Sequence, residues 1–331
     1  MDSRRIAQLE VSCLGLGCMS LSQAYGPPPS REQAEAVLLG AFDAGYRLFD
    51  TAAVYGLGHN EQLVGEVLGS RRHEFVLASK AGLSRDGQRV LDNSPEILRR
   101  TCEESLRNLR TDVIDLYYLH RWDPRIPIED TVGVLAELVA EGKIRAIGLS
   151  EVSGDTLRRA HAVHPIAALQ NEYSPWTRNA EWGSLAACRE LGVAFVAFSP
   201  LGRGMLAGRF ADPSDLQPGD LRIPMPRFIG EAFQANLRLY QAFAEIARDS
   251  GCTPAQLCLA WLLQKDPLIV PIPGTSSPAH MRENADAAKV RLTPQIVAGI
   301  EATVNGETVT GARYTQPLQD AVDTERMPNE A

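Results

Sequence analysis

Eight short apolar runs, each followed by a longer stretch with helical spacing, constrain this chain more than any other feature. The runs are CLGLGCM, YRLFD, FVLASK, VIDLYYLH, IRAIGLS, IAALQNEY, VAFVAFSP and LIVPIPG. Strand-like and helix-like segments in alternation are the pattern of parallel β/α units. Between the runs, SPEILRRTCEESLRNLR predicts a helix with Ser94 as N-cap, Pro95 in the first turn, and Leu98, Cys102, Leu106 and Leu109 on one face. TVGVLAELVAEGK ends in Gly142, which suits a left-handed C-cap, and TPAQLCLAWLLQKD opens with Thr253 and Pro254 as cap and first turn. With no Pro/Ser-rich linker to divide them, the eight units predict a single α/β domain over residues 1–331, a (β/α)8 TIM barrel. A doubly wound sheet is the alternative. Against it, GLGCM around Gly15 and Gly17 lacks the third glycine of a G-x-G-x-x-G turn. Arg4 to Val11 is expected to form a hairpin closing the barrel bottom. Gly202 to Phe228, after the seventh strand, is too long for an ordinary connection and is expected to be a functional loop. The tail from 315 to 331 carries charge and little periodicity and is expected to be a flexible end.

Composition narrows the partners. Lys plus Arg number 33 against 41 Asp plus Glu, a net charge of −8, and no basic stripe is present, so nucleic acid is an unfavourable partner. No uncharged apolar run is long enough to span a bilayer, and the first residues lack the apolar core of a secretory signal, which together predict a cytoplasmic protein with no membrane partner. The six cysteines, Cys13, Cys18, Cys102, Cys188, Cys252 and Cys258, form no C-x-x-C pair. Buried free thiols in a reducing compartment, with no metal site, are the expectation. Oligomeric state is not legible.

In a barrel of this kind the site lies at the C-terminal mouth, so polar residues that end apolar strands are candidates for chemistry. Asp50 ends YRLFD, Lys80 ends FVLASK and His120 ends VIDLYYLH, while Tyr55 follows on the loop after Asp50. Each alone also reads as structural: Asp50 as a turn cap, Lys80 as a solvent-reaching cation, His120 as a satisfied core histidine. Together they suit proton transfer. A phenol with a pKa of about 10 is a poor donor at neutral pH, and a nearby ammonium stabilises its phenolate. A carboxylate beside the lysine would hold it in place, and a histidine would orient a carbonyl or share the proton.

These residues and their surroundings resemble the aldo-keto reductases. The resemblance runs from about Glu10 to Tyr314 and rests on FDTAAVYG, LASKAG, YYLHRWD, GLSEVS, LQNEYSPW, FSPLGRGMLAGR, PIPGT and REN. GLSEVSGDTLRRAHAVHPIAALQNEYS and PLGRGMLAG are most similar to the soluble microbial branch that acts on aldehydes, including pyridoxal reductases. The resemblance implies that Asp50, Tyr55, Lys80 and His120 are the catalytic tetrad, with Tyr55 the general acid for reduction of an aldehyde or ketone by NADPH, NADH being the less favoured cofactor.

It further implies cofactor contacts at Gly17, Cys18 and Met19. Ser150 and Gln170 would hold the nicotinamide carboxamide and Phe198 would stack on its ring. Ser199, Leu201, Gly202, Arg203 and Gly204 would surround the pyrophosphate with glycine N–H groups and one guanidinium. Gly274, Thr275, Ser276 and His280 would meet the 2′-phosphate near a helix N-terminus, and Glu283 and Asn284 the adenine. Two departures from the family pattern stand out: Glu151 occupies the place of an asparagine after Ser150, and the 2′-phosphate pocket lacks its usual Lys or Arg, for which Arg282 is the nearest substitute.

Tyr25, Trp122 and Tyr173 are expected to bind a small-molecule carbonyl substrate, with Met19 and Trp176 as further wall candidates. Two other readings belong to different classes. One is an NADPH-binding regulatory subunit resembling potassium-channel β-subunits, with little turnover. The other is a barrel isomerase or lyase using Lys80 as a Schiff-base amine.

Overall fold

The computed structural model describes residues 1–22, 24–84 and 90–326. The chain opens with an antiparallel hairpin, β1 (Ser3–Ile6) and β2 (Leu9–Ser12), in register from Ser3 opposite Ser12 to Ile6 opposite Leu9. Ile6, Leu9 and Val11 are buried in one cluster with Leu48, Val76 and Ala146, so the hairpin plugs the barrel bottom as its position predicts.

The barrel strands follow: β3 (Leu16–Gly17), β4 (Leu48–Asp50) and β5 (Val76–Ala81). A small antiparallel pair at the mouth, β6 (Leu83–Ser84) and β7 (Val90–Leu91), comes next. Then come β8 (Leu116–Leu119), β9 (Ile147–Ser150), β10 (Ile166–Glu172), β11 (Ala194–Phe198) and β12 (Ile269–Pro271). All eight barrel strands pair in parallel in chain order. A parallel bridge between Gly17 and Gly274, with Gly15 N–H donating to the Pro271 carbonyl at 2.9 Å, joins the last strand to the first. A Cβ on Gly17 would sit 2.8 Å from the Ile272 carbonyl oxygen. The two glycines of GLGCM therefore serve close strand approach at the barrel seam.

Helices α1 (Arg31–Asp43), α2 (His59–Leu68), α3 (Pro95–Leu109), α4 (Ile128–Ala140), α5 (Gly154–Val163) and α6 (Ser184–Leu191) each follow a strand. Two helices, α7 (Gly230–Asp249) and α8 (Pro254–Lys265), separate β11 from β12, and α9 (Pro278–Asp286), α10 (Pro294–Thr303) and α11 (Gln316–Gln319) complete the chain. Leu98, Cys102 and Leu109 are buried as the 3.6-residue spacing of α3 requires. Ser94 stands at the N-cap position without a side-chain capping bond, and its own N–H donates to Asp92 Oδ1 at 2.8 Å. Thr253 and Gln256 form a reciprocal capping box on α8.

The core has two parts. Outward-facing strand residues pack under the helices, among them Phe49, Tyr117, Leu149 and Phe195, while inward-facing ones fill the barrel, among them Leu48, Ala78, Tyr118 and Val196. Gly148 leaves room for the Tyr118 ring, since a Cβ there would lie 2.3 Å from it. Packing of this density leaves the mouth as the place where polar strand ends emerge. The six cysteines are free thiols, five of them buried. The tail is tied down as far as it is described: Asp323 accepts from Ser153 N–H and Oγ, and Glu325 accepts from Gly154 N–H at 3.0 Å, at the N-terminus of α5. Residues 327–331 lie outside the described residues.

Candidate active site

Asp50 is the last residue of β4, and Lys80 lies one strand over on β5, where register places Asp50 opposite Ala78. Alternation turns both side chains inward. The Lys80 ammonium, buried, donates to Asp50 Oδ1 and to the Thr51 carbonyl at 2.8 Å. The other Asp50 oxygen accepts from Gln170 Nε2 at 2.8 Å. A buried ion pair is stable only when its remaining valences are met, and here each oxygen has a donor. After Thr51 the chain turns through Ala52 to Val54, with Tyr55 N–H donating to the Ala52 carbonyl at 3.0 Å. This brings the Tyr55 ring centroid to 5.1 Å from Lys80 Nζ. His120, just past β8, meets the Tyr55 ring edge to face, with centroids 5.9 Å apart at 83°. The four predicted residues converge.

Burial pushes the Tyr55 phenol upward, and Lys80 and Arg121 oppose that shift without cancelling it. Burial works against the Lys80 ammonium too, but Asp50 and Tyr55 outweigh it and leave the amine more basic than usual. At neutral pH the corner therefore holds a neutral phenol beside a charged ammonium, the state of a proton donor whose conjugate base is stabilised by an adjacent cation.

Three supporting residues carried no sequence assignment. Asn60 donates to the Cys18 carbonyl at 2.9 Å and to Ser22 Oγ at 2.8 Å, and accepts from Thr51 Oγ1 at 2.6 Å, fixing the turn that presents Tyr55. Arg121 is buried and donates to Ser150 Oγ at 3.1 Å. Tyr118 lies in the barrel below, its ring centroid 5.8 Å from Lys80 Nζ. Arg121 follows a strand end directly and was open to the same rule that found His120; Asn60 and Tyr118 had no periodic signal of function.

Across the mouth, Phe198 packs against the interior cluster but is only partly buried. Ser199, Gly202, Arg203 and Gly204 all take positive φ, from 48° to 94°. The glycine N–H groups are spent within the loop, Gly202 on the Ser199 carbonyl at 3.0 Å and Gly204 on the Leu201 carbonyl at 3.1 Å, so these glycines supply conformation. Arg203 is paired with Glu172 at 2.7 Å. Glu172 ends β10 and is a further polar strand end that the sequence reading passed over. At the start of α9, Ser277 caps the helix, Thr275 Oγ1 accepts from Ser277 N–H at 3.0 Å, Gly274 and His280 are exposed, and Ser276 is half-buried. Glu283 is half-buried and Asn284 is buried on the same helix.

Several expectations are corrected. Tyr173 is fully buried on the outer face of the barrel wall; its hydroxyl donates to Glu181 at 2.6 Å and its ring packs on Phe195 and Trp261, so it lines no substrate space. Trp176 is buried and stacked on Phe228. Cys18 is fully buried, its N–H bound to the Asp50 carbonyl and its own carbonyl to Asn60, which leaves it no group for a cofactor. Arg282 lines a surface groove with Met1, Asp286 and Lys289, and helical spacing sets it on a different face of α9 from His280. Glu151 takes a left-handed φ of 57° and is bound by Arg313 and Tyr314, which removes it from carboxamide recognition. Tyr25 and Trp122 remain half-buried at the mouth, Tyr25 under the Arg222 guanidinium and Trp122 donating to the Ile126 carbonyl at 2.9 Å. Met19 is half-buried in the turn after β3.

Comparison with known proteins agrees with this architecture. The model of the aldo/keto reductase family matches residues 13–305. A Glycine max protein named "Probable aldo-keto reductase 1" is 43% identical over 93% of this chain and 90% of its own. The aldo-keto reductase yakc of Schizosaccharomyces pombe, whose name carries the designation NADP(+), is 41% identical over 99% of both chains. Among solved structures, the glycerol dehydrogenase AKR11B4 from Gluconobacter oxydans superposes with a TM-score of 0.83 at 26% identity, covering 99% of this chain and 98% of that one. The holo form of aldo-keto reductase AKR11C1 from Bacillus halodurans gives 0.77 at 27% identity, covering 96% and 99%. The chain belongs to the aldo/keto reductase family and is an oxidoreductase of that family.

Proposed function

We propose that this protein reduces an aldehyde or ketone to an alcohol, with NADPH as the cofactor. The observation that carries the reading is the convergence of a buried, doubly hydrogen-bonded Lys80–Asp50 pair on Tyr55 and His120 at the barrel mouth. A dinucleotide fits the adjoining residues. Phe198 offers a part-exposed ring, Ser150 at the end of β9 and Gln170 near the end of β10 supply polar groups, and Arg203 supplies a guanidinium on the long loop. Thr275, Ser276 and His280 open toward the N-terminal end of α9, where backbone N–H groups and the helix dipole favour a phosphate. The NADP(+) in the name of the S. pombe relative supports the phosphorylated form.

When bound, the reduced nicotinamide supplies a hydride. The protein's own groups handle the other half of the reaction. Tyr55 Oη donates its proton to the carbonyl oxygen as negative charge develops there, a general-acid contribution of about 10²–10⁴ in rate. Lys80 stabilises the phenolate that results, and Asp50 and the Thr51 carbonyl keep the ammonium pointed at it. His120 orients the carbonyl against Tyr55. Half-buried Tyr25 and Trp122, at the rim, form the substrate walls.

The direct test is a turnover with NADPH deuterated at nicotinamide C4 and an activated aromatic aldehyde. Deuterium on the carbinol carbon of the product is the expected result. Product without deuterium, or none at all across a panel of carbonyls, would overturn the reading. Affinities for NADPH and NADH at one stated salt concentration, with NADPH tighter, check the cofactor.

A further inference from the structure

Beside the long loop lies a buried cluster of two carboxylates and three guanidiniums, of which the proposed reaction uses only Arg203. Glu172 Oε2 accepts from Arg203 Nη2 at 2.7 Å and lies 3.9 Å from Arg313 Nη1, while Glu172 Oε1 accepts from Thr177 Oγ1 at 3.2 Å. Arg313 reaches Glu151 with both terminal nitrogens, at 3.2 and 3.0 Å, and also donates to Thr324 Oγ1 at 2.8 Å. Glu151 is anchored from the other side by the Glu172 N–H at 3.1 Å. Both Arg203 and Arg313 lie over the ring of Tyr314, at 5.0 and 4.4 Å. Arg227 donates to Thr177 Oγ1 at 2.8 Å and completes the cluster. Glu151, Glu172, Arg203, Arg227 and Arg313 are all buried or nearly so.

This arrangement poses a conflict. Resting on the reading above, Arg203 must turn its charge to a pyrophosphate, yet it is the nearest counter-ion of a buried carboxylate. A buried charge deprived of its partner is strongly unfavourable. Left alone, Glu172 would hold Arg203 and compete with the phosphate. We propose that Arg313 is the positioning residue that removes this competition: held beside Glu172 by Glu151, it serves as the reserve counter-ion that lets Arg203 engage the cofactor. Glu151, the departure from the family's asparagine, then has a role on the far side of the strand end from the nicotinamide. It recruits a guanidinium from the C-terminal segment.

The test is a set of NADPH dissociation constants, measured by quenching of protein fluorescence, for wild type, Arg203→Met, Arg313→Met, Glu172→Gln and the Arg313→Met/Glu172→Gln double variant. Arg313→Met is expected to weaken NADPH binding about tenfold or more, the scale of one uncompensated charge interaction. Adding Glu172→Gln is expected to restore binding to within a few-fold of wild type, because the competitor is gone. A merely structural Arg313 gives no such rescue, and that result overturns the proposal. Where Arg313→Met fails to fold, Arg313→Gln takes its place in both variants: rescue of its weakened NADPH binding by Glu172→Gln supports the proposal, and no rescue overturns it. Arg203→Met separates the two layers. If it leaves NADPH affinity unchanged, the pyrophosphate reading falls and the proposal with it. If it weakens binding while Arg313→Met does not, the proposal alone falls.

Discussion

Two buried ionic groups flank the mouth, and they are built differently. In the Lys80–Asp50 corner one cation meets one carboxylate, and each carboxylate oxygen has its own donor. In the Arg203–Glu172–Arg313–Glu151 cluster one carboxylate lies between two guanidiniums and one guanidinium between two carboxylates. The first arrangement gives each carboxylate oxygen one donor, which suits a residue that must hold a proton donor in one geometry. The second gives Glu172 a second guanidinium within reach, which suits a place where a charged ligand comes and goes. Local stoichiometry separates a fixed site from an exchangeable one.

The largest effect expected from breaking this contrast is at Lys80. Lys80→Met leaves Asp50 with Gln170 as its remaining side-chain donor, and the expected cost is about 3–5 kcal/mol of stability, read from urea unfolding. Glu151→Gln is expected to cost less, about 1.5–3 kcal/mol, the range for hydrogen bonds to charged groups, because Arg313 keeps Glu172 and Thr324. Equal losses from the two substitutions would erase the distinction drawn between the regions.

A smaller effect separates them by pH. Lys80 has its pKa raised on folding, so its contribution is complete below the unfolded value near 10.5 and is lost as pH climbs through the folded one. Glu172 is opposite in sign. Burial opposes its ionisation, but Arg203 and Arg313 prevail and hold it below the usual 4.5, so its contribution is present above that value and lost as pH falls through the folded pKa. Urea midpoints across pH should therefore show Lys80→Met flattening the alkaline limb and Glu172→Gln the acid limb. An acid limb unchanged in Glu172→Gln would contradict the assignment.

The same contrast explains what could be read from sequence. Asp50, Lys80 and His120 each end an apolar run, and Tyr55 follows on a five-residue turn, so local pattern and barrel topology bring them together. The hairpin, the eight parallel strands and the Thr253 cap were legible for the same reason, since each is a short-range pattern. Glu151 meets Arg313 across 162 residues, and Arg313 lies in a stretch with no periodicity, so nothing local announced the pair. Tyr173 misled because alternation faces it outward: Gln170 points into the barrel, and Tyr173, three residues on and just past the end of β10, points the other way.

The role of Tyr55 as proton donor is tested most directly by the single-turnover rate of an activated aromatic aldehyde with saturating NADPH in wild type and Tyr55→Phe. NADPH affinity is measured alongside. The expected result is a rate lowered about 10²–10⁴-fold with cofactor affinity essentially unchanged. A Tyr55→Phe enzyme that reduces the aldehyde at the wild-type rate would contradict it.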